Sequence, residues 1–295
     1  MRHWVLAALV VSFVGLAACT APAPPVGDPP PSPSPTVVPP QPSEPGGTLE
    51  PCPGGDTARL TALTLNIHGG RTKVGVLDLE RVAAELRAWD ADVVLLQEVD
   101  RGRERSDLVA QAQWLGDRLG LDWAYGATRQ LQPGTSGNAV LSRFPVVDTQ
   151  LRSLPRLPGL LRRGLVQVTI DVDGREVDVI STHLDHVSPA ARRAQAAAVA
   201  SVVRRSDRPL LLGGDLNAES GLPPLNVLDR AGLADPWPVI GSGSGLTVPA
   251  ADPQRRIDFV LADDSFVPLG SEVLISSISD HRAVRTAFEL LPPDC

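Results

Sequence analysis

The sequence predicts an α/β fold in which paired β-sheets carry helices on their outer faces, and three observations predict it. Apolar runs of strand length alternate with segments of helical period through most of residues 57–291. Several runs in the middle of the chain follow one another with no helix between them, which a purely doubly wound sheet does not accommodate. The stretch holds about 235 residues, enough for one such domain and its core.

Taken in order, Leu60 to Ile67 alternates as a strand and ends in Asn66-Ile67-His68-Gly69-Gly70. Leu79, Val82, Ala83 and Leu86 fall at helical spacing and predict a helix over 78–89. Asp92 to Glu98 reads as a buried strand with Gln97 and Glu98 at its mouth, because a carboxylate further in would be costly to bury. A helix over 107–119 follows, then a strand over 138–144 that stops before Pro145. The loop 154–164 carries four leucines, two prolines and Arg162-Arg163. Strands over 165–171 and 175–182 flank Asp173-Gly174, a hairpin signal, and the second ends in Ser181-Thr182-His183. An Ala-rich helix over 190–203 leads to the most informative stretch.

That stretch is Leu210-Leu211-Leu212-Gly213-Gly214-Asp215-Leu216-Asn217. An apolar strand stops at two glycines and then presents a carboxylate and a carboxamide two residues apart, so both leave one face. Glycines there let the backbone turn and leave room for a close approach. Arg256-Ile257-Asp258 opens a further apolar strand, and Ser279-Asp280-His281 precedes a terminal strand over 283–290.

The N-terminus has a basic start, an apolar run from Trp4 to Ala18 and then Cys19. The run is too short to span a bilayer comfortably and fits a secretory signal. Leu16-Ala17-Ala18-Cys19 resembles the lipobox of bacterial lipoproteins, which implies lipidation of Cys19 and an extracytoplasmic protein anchored to the bacterial cell membrane; ordinary cleavage leaving a free Cys is the alternative. Residues 20–56 are Pro-rich and short of large apolar side chains, a composition that reads as a tether without a core. With Cys19 lipidated, Cys52 and Cys295 remain and bracket the folded region 57–295. In an exported chain such a pair is expected to form a disulfide.

Asn66, Gln97-Glu98, Thr182-His183-Leu184, Gly214-Asp215-Leu216-Asn217, Arg256-Ile257-Asp258 and Ser279-Asp280-His281 stand in the order and approximate spacing of one family. Over residues 58–291 the chain resembles the endonuclease/exonuclease/phosphatase superfamily. The resemblance implies a four-layer α/β sandwich, two packed mixed β-sheets flanked by helices, with the active site at one edge. It also implies a metal-dependent phosphoester hydrolase, since the family includes nucleases, sphingomyelinases and inositol polyphosphate phosphatases.

The residues agree with that chemistry. Glu98, Asp215, Asp258 and Asp280 in one pocket would repel one another without a cation or proton between them. Oxygen donors such as Glu98 and Asn66 favour a hard divalent ion, Mg²⁺ first, with Mn²⁺ or Ca²⁺ as alternatives. By resemblance, Glu98 is the main metal ligand, with Asn66 and Asp280 completing or bordering the site. His281, made more basic by Asp258, activates water together with Asp215, while Asn217 and His183 donate to phosphoryl oxygens. Arg163 is implied as a cationic phosphate contact, with Arg162 or a structural salt bridge as alternatives. His68, Tyr125 and His186 read as wall or surface residues.

Substrate choice rests on charge. Without Arg2, 26 basic residues face 34 acidic ones, a net charge near −8 with no basic run, which disfavours tight duplex binding. The expected substrate is therefore a lipid headgroup or small phosphate ester cleaved at the cell surface by a monomer. An extracellular nuclease and a non-catalytic binding lipoprotein are the alternatives. Leu157, Leu160 and Leu161 are expected to supply a small apolar lip.

Overall fold

The computed structural model describes residues 57–292. The signal 1–19, the tether 20–56, and Cys19, Cys52 and Cys295 with their expected lipidation and pairing lie outside the described residues.

One sheet runs in the order β10 (Phe266–Leu274), β11 (Ala283–Leu290), β1 (Ala58–Asn66), β2 (Val93–Arg101), β4 (Thr135–Ser142), β3 (Asp122–Gln130). The other runs β5 (Val146–Ser153), β6 (Gly164–Val172), β7 (Arg175–His183), β8 (Leu210–Asp215), β9 (Asp258–Ala262). The pairs β1/β2 and β7/β8 are parallel and the other pairs antiparallel, so both sheets are mixed.

The parallel pairs arise because a helix returns the chain to its starting edge. Helix α1 (Leu79–Trp89) joins β1 to β2 and is started by Asp78, whose side chain accepts from the Arg81 N–H. Along the other sheet, α3 (Pro189–Val203) joins β7 to β8 and starts at Ser188 with Pro189 next, a favoured helix opening. Both crossovers leave their strands' C-terminal ends at one edge, which puts Asn66, Gln97, His183 and Asp215 there.

The facing sides of the sheets bury Leu95, Val140, Val166, Val179 and Phe288. Val82, Leu86 and Leu115 pack α1 and α2 (Gln111–Leu119) on the outside of the first sheet. Val199 and Leu228 pack α3 and α4 (Pro223–Asp229) on the outside of the second, and a short α5 (Trp237–Ile240) follows. These are the four layers expected.

Three expectations change. The strand expected to end at Glu98 continues to Arg101 through a bulge between Leu96 and Val99, and Glu98 sits there at φ 55°. Strands β5 and β10 have no counterpart in the sequence reading. All of β5 after its first residue is exposed, so it lacks apolar alternation, and β10 is broken by a register shift after Pro268. The leucine lip is reduced: Leu157 is exposed, whereas Leu160 and Leu161 are half-buried.

Candidate active site

Three neighbouring strands set the centre. His183 on β7 is the register partner of Asp215 on β8, and Asp215 is the partner of Asp258 on β9. Gly214 is required just before Asp215, because a Cβ there would overlap the Thr182 carbonyl of the adjacent strand. Gly213 faces Leu95 of the opposite sheet closely enough that a Cβ would press on its side chain, so the strand can lie close to that sheet.

Asp215, Asp258 and His281 each offer an atom within 4.8 Å of the others, and all three are buried. His281 Nδ1 lies 2.9 Å from Asp258 Oδ2 and 3.1 Å from Oδ1. Its Nε2 lies 3.7 Å from Asp215 Oδ2. That oxygen is also 3.3 Å from His183 Nε2 and accepts from Asn66 Nδ2 at 3.2 Å, a bond between the two sheets. Asn217, at φ 48°, donates its backbone N–H to Asp215 Oδ1 at 3.0 Å, an Asx-type turn that aims the carboxylate.

The Asn217 carboxamide nitrogen is engaged, 3.1 Å from His183 Nε2 and 3.2 Å from the Leu184 carbonyl. It orients His183. Behind the site, Gln97 and Ser181 bond across the sheets, so Gln97 braces the two strand ends.

Burial, and then the nearby Asp258, push the Asp215 carboxyl up to about 7. Burial opposes the charge of His281, but the paired Asp258, followed by Asp215 and Asp280, outweighs it and raises the imidazole to about 10. His183 goes the other way. Burial and the positive charge of Arg163 hold it well below its ordinary range, so it is neutral.

Glu98 and Asp280 are half-buried, and among the described residues neither carboxylate has a hydrogen-bond or ion-pair partner. The strained backbone at Glu98 is maintained in a bulge beside the site, a device that re-aims a side chain. Asn66 keeps acceptor capacity on an oxygen that takes one bond, from the His68 N–H at 3.1 Å. These donors are all oxygen, and residues 57–292 contain no cysteine, so the set fits a hard divalent cation. The tight cluster is thus Asp215, Asp258 and His281, with Asn66 bonded to Asp215 and the charge of Asp280 acting on His281.

Arg163 is 7% exposed whereas Arg162 is exposed, so the open choice between them falls on Arg163 as the inward residue. Its Nη2 lies 3.2 Å from His186 Nδ1, and its Nε is buried with no partner among the described residues. Burial lowers its affinity for the proton, and the carboxylates of Asp215, Glu98 and Asp185 oppose that. His186, expected as a wall or surface residue, is exposed and steadies Arg163. Arg129 on β3 was missed: its charge reaches both His183 and Arg163. No local pattern marks it, since it joins the site only when β3 packs beside β6. Tyr125 instead bonds Thr135 at 2.8 Å, and His68 Nδ1 is buried without a partner among the described residues.

A family model described as Endonuclease/Exonuclease/phosphatase family matches residues 63–281. The Uncharacterized protein YbhP of Escherichia coli K12 is 28% identical over 245 residues, covering 77% of this chain and 95% of YbhP. The crystal structure of an endonuclease/exonuclease/phosphatase from Beutenbergia cavernae has 28% identity and a TM-score of 0.66, covering 79% of this chain and 72% of that one. The mannosyl-6-phosphatase Bt3783 of Bacteroides thetaiotaomicron shares the fold, with 18% identity and a TM-score of 0.64 over 78% of this chain and 99% of that one.

Proposed function

Because the chain belongs to the endonuclease/exonuclease/phosphatase family, whose members hydrolyse phosphoesters, we propose that it is a divalent-metal-dependent phosphoesterase acting outside the cytoplasm on a lipid headgroup or small phosphate ester. The observation that carries the reading is one imidazole, His281, held between two buried carboxylates at the shared edge of two sheets. The lipobox-like Leu16-Ala17-Ala18-Cys19 supports the extracytoplasmic, anchored location.

In this reading Glu98, Asn66 and Asp280 hold Mg²⁺, which when bound supplies Lewis-acid stabilisation of charge on a phosphoryl oxygen. The chain's own groups do the rest. His281 is charged at neutral pH, so its role is to stabilise phosphoryl negative charge, with Asp258 fixing its ring. Asp215 is poised near neutrality and is the group that takes the proton of a water placed beside it. This assigns the base role to Asp215 rather than sharing it with His281. Neutral His183, held by Asn217, and the buried Arg163 cation face the same phosphoryl group.

The test is hydrolysis by the full chain in detergent of phosphoinositides, sphingomyelin, sugar and chromogenic phosphate esters, plasmid DNA and RNA, with Mg²⁺ and with EDTA. Metal-dependent turnover that disappears in Asp215→Asn is the expected result. Activity surviving both treatments would refute the site, and preference for DNA or RNA would move the protein to the nuclease reading.

A further inference from the structure

Beside the Asn66 and Asp280 flank of the site lies a cavity of about 330 Å³, built from three loops far apart in sequence. Lys73 and Val74 line one side, Ala250 another, and Ile275, Ile278 and Ser279 the third. The volume falls in the range of ~300–1,000 Å³ in which small-molecule sites occur. It abuts the site directly. Ala250 donates its N–H to the Asp280 carbonyl at 2.7 Å, and the Ser279 hydroxyl donates to the Asn66 carbonyl.

The walls are preformed and their polar side chains are already engaged. The hydroxyls of Ser276 and Ser277 bond Glu85 of α1, that of Ser279 donates to Asn66 and accepts from the His281 N–H, and that of Thr72 accepts from the Val76 N–H. What the cavity offers a ligand is therefore apolar surface. Val74 and Ile275, both in the lining, are 86% and 67% exposed, so the cavity presents apolar surface to solvent. Lys73, the sole lysine of the chain, also lines the cavity; its aliphatic stem suits the same surface and its ammonium suits an anionic headgroup.

We propose that this cavity receives the apolar alcohol of the substrate, an alkyl chain on the esterified oxygen that leaves when water attacks phosphorus, so that the natural phosphoester is a membrane amphiphile. The assignment rests on the phosphoesterase reading for the location of the phosphoryl group.

The experiment is calorimetric binding of methyl-, propyl- and hexylphosphonate to the full chain in detergent with Mg²⁺ present, which does not depend on turnover. A chain entering the cavity tightens binding by about two- to fourfold for each added methylene. Val74→Asp and Ile275→Asp, both at exposed positions, flatten that slope. Val147→Asp, on β5 at the far edge of the other sheet, leaves it unchanged. Equal affinity of the wild-type protein for all three ligands overturns the proposal, and so does a slope that both cavity variants retain. Absence of hydrolysis with a slope intact refutes the phosphoesterase reading and leaves the cavity an apolar-chain binding site with no leaving-group role.

Discussion

His281 Nδ1 sits 2.9 Å from Oδ2 of Asp258, a residue with no exposure to solvent, and the pair joins β9 to the loop before β11. No other side-chain hydrogen bond to the Asp258 carboxylate is found among the described residues, so the charge of one residue depends on the other.

Replacing Asp258 by Asn keeps the size and removes the charge. The imidazole then loses its largest stabilising partner and becomes neutral near pH 7. We expect kcat to fall about 10²–10⁴-fold with a smaller change in KM. NMR titration of the His281 ring should show its pKa dropping from about 10 toward the ordinary range. An unchanged ring titration would remove the electrostatic role given to Asp258.

The stability of the metal-free protein should fall as pH rises. His281 has a folded-state pKa above its ordinary 6.5, so its contribution is complete below pH 6.5 and is lost on passing about 10. Asp215 is raised from 3.8 to about 7, so ionising it disfavours the fold progressively between those values. The interval from pH 7 to 10 isolates His281. In EDTA, urea denaturation should show a loss on the order of 3 kcal/mol across it, and His281→Gln should flatten the curve. A wild-type curve no steeper than the variant's would contradict the pairing.

Glu98→Gln removes one of the two unpartnered carboxylates while keeping the bulge. Mn²⁺ affinity, measured by titration, should weaken by about 10–100-fold. The thermal stabilisation produced by Mg²⁺ should require correspondingly more ion. Undiminished affinity would place the cation elsewhere, for instance at Asp215 and its neighbours.

Arg163→Lys keeps the charge but not the planar fork, whose Nη2 reaches His186 and whose buried Nε has no partner among the described residues. We expect kcat/KM to fall about 10–100-fold, with His186→Ala losing less because Arg163 remains charged. If Arg163→Lys were fully active, the buried guanidinium would be a packing element only.

How much was legible in the sequence follows from the range over which each feature is encoded. Strand periodicity, helical spacing and polar residues at strand ends are local, so β1, β2, β7, β8, the helices α1 and α3 and the strand-end residues around His183 and Asp215 are readable from short windows. The edge strand β5 was not, because almost every residue on it faces water and no apolar alternation is selected. The bulge at Glu98, through which β2 runs on to Arg101, depends on pairing with β4 and has no local signal.

The sequence by itself determined the fold class, the order of the motifs and the residue types at the site, since these are set by neighbours along the chain. Only the tertiary structure decided that Asn66 meets Asp215 across 149 positions, that Arg163 rather than Arg162 turns inward onto His186, and that the charge of Arg129 reaches Arg163. It also decided where the protons reside. Burial and through-space charge raise Asp215 and His281 and lower His183, and neither quantity exists until distant strands close on one another.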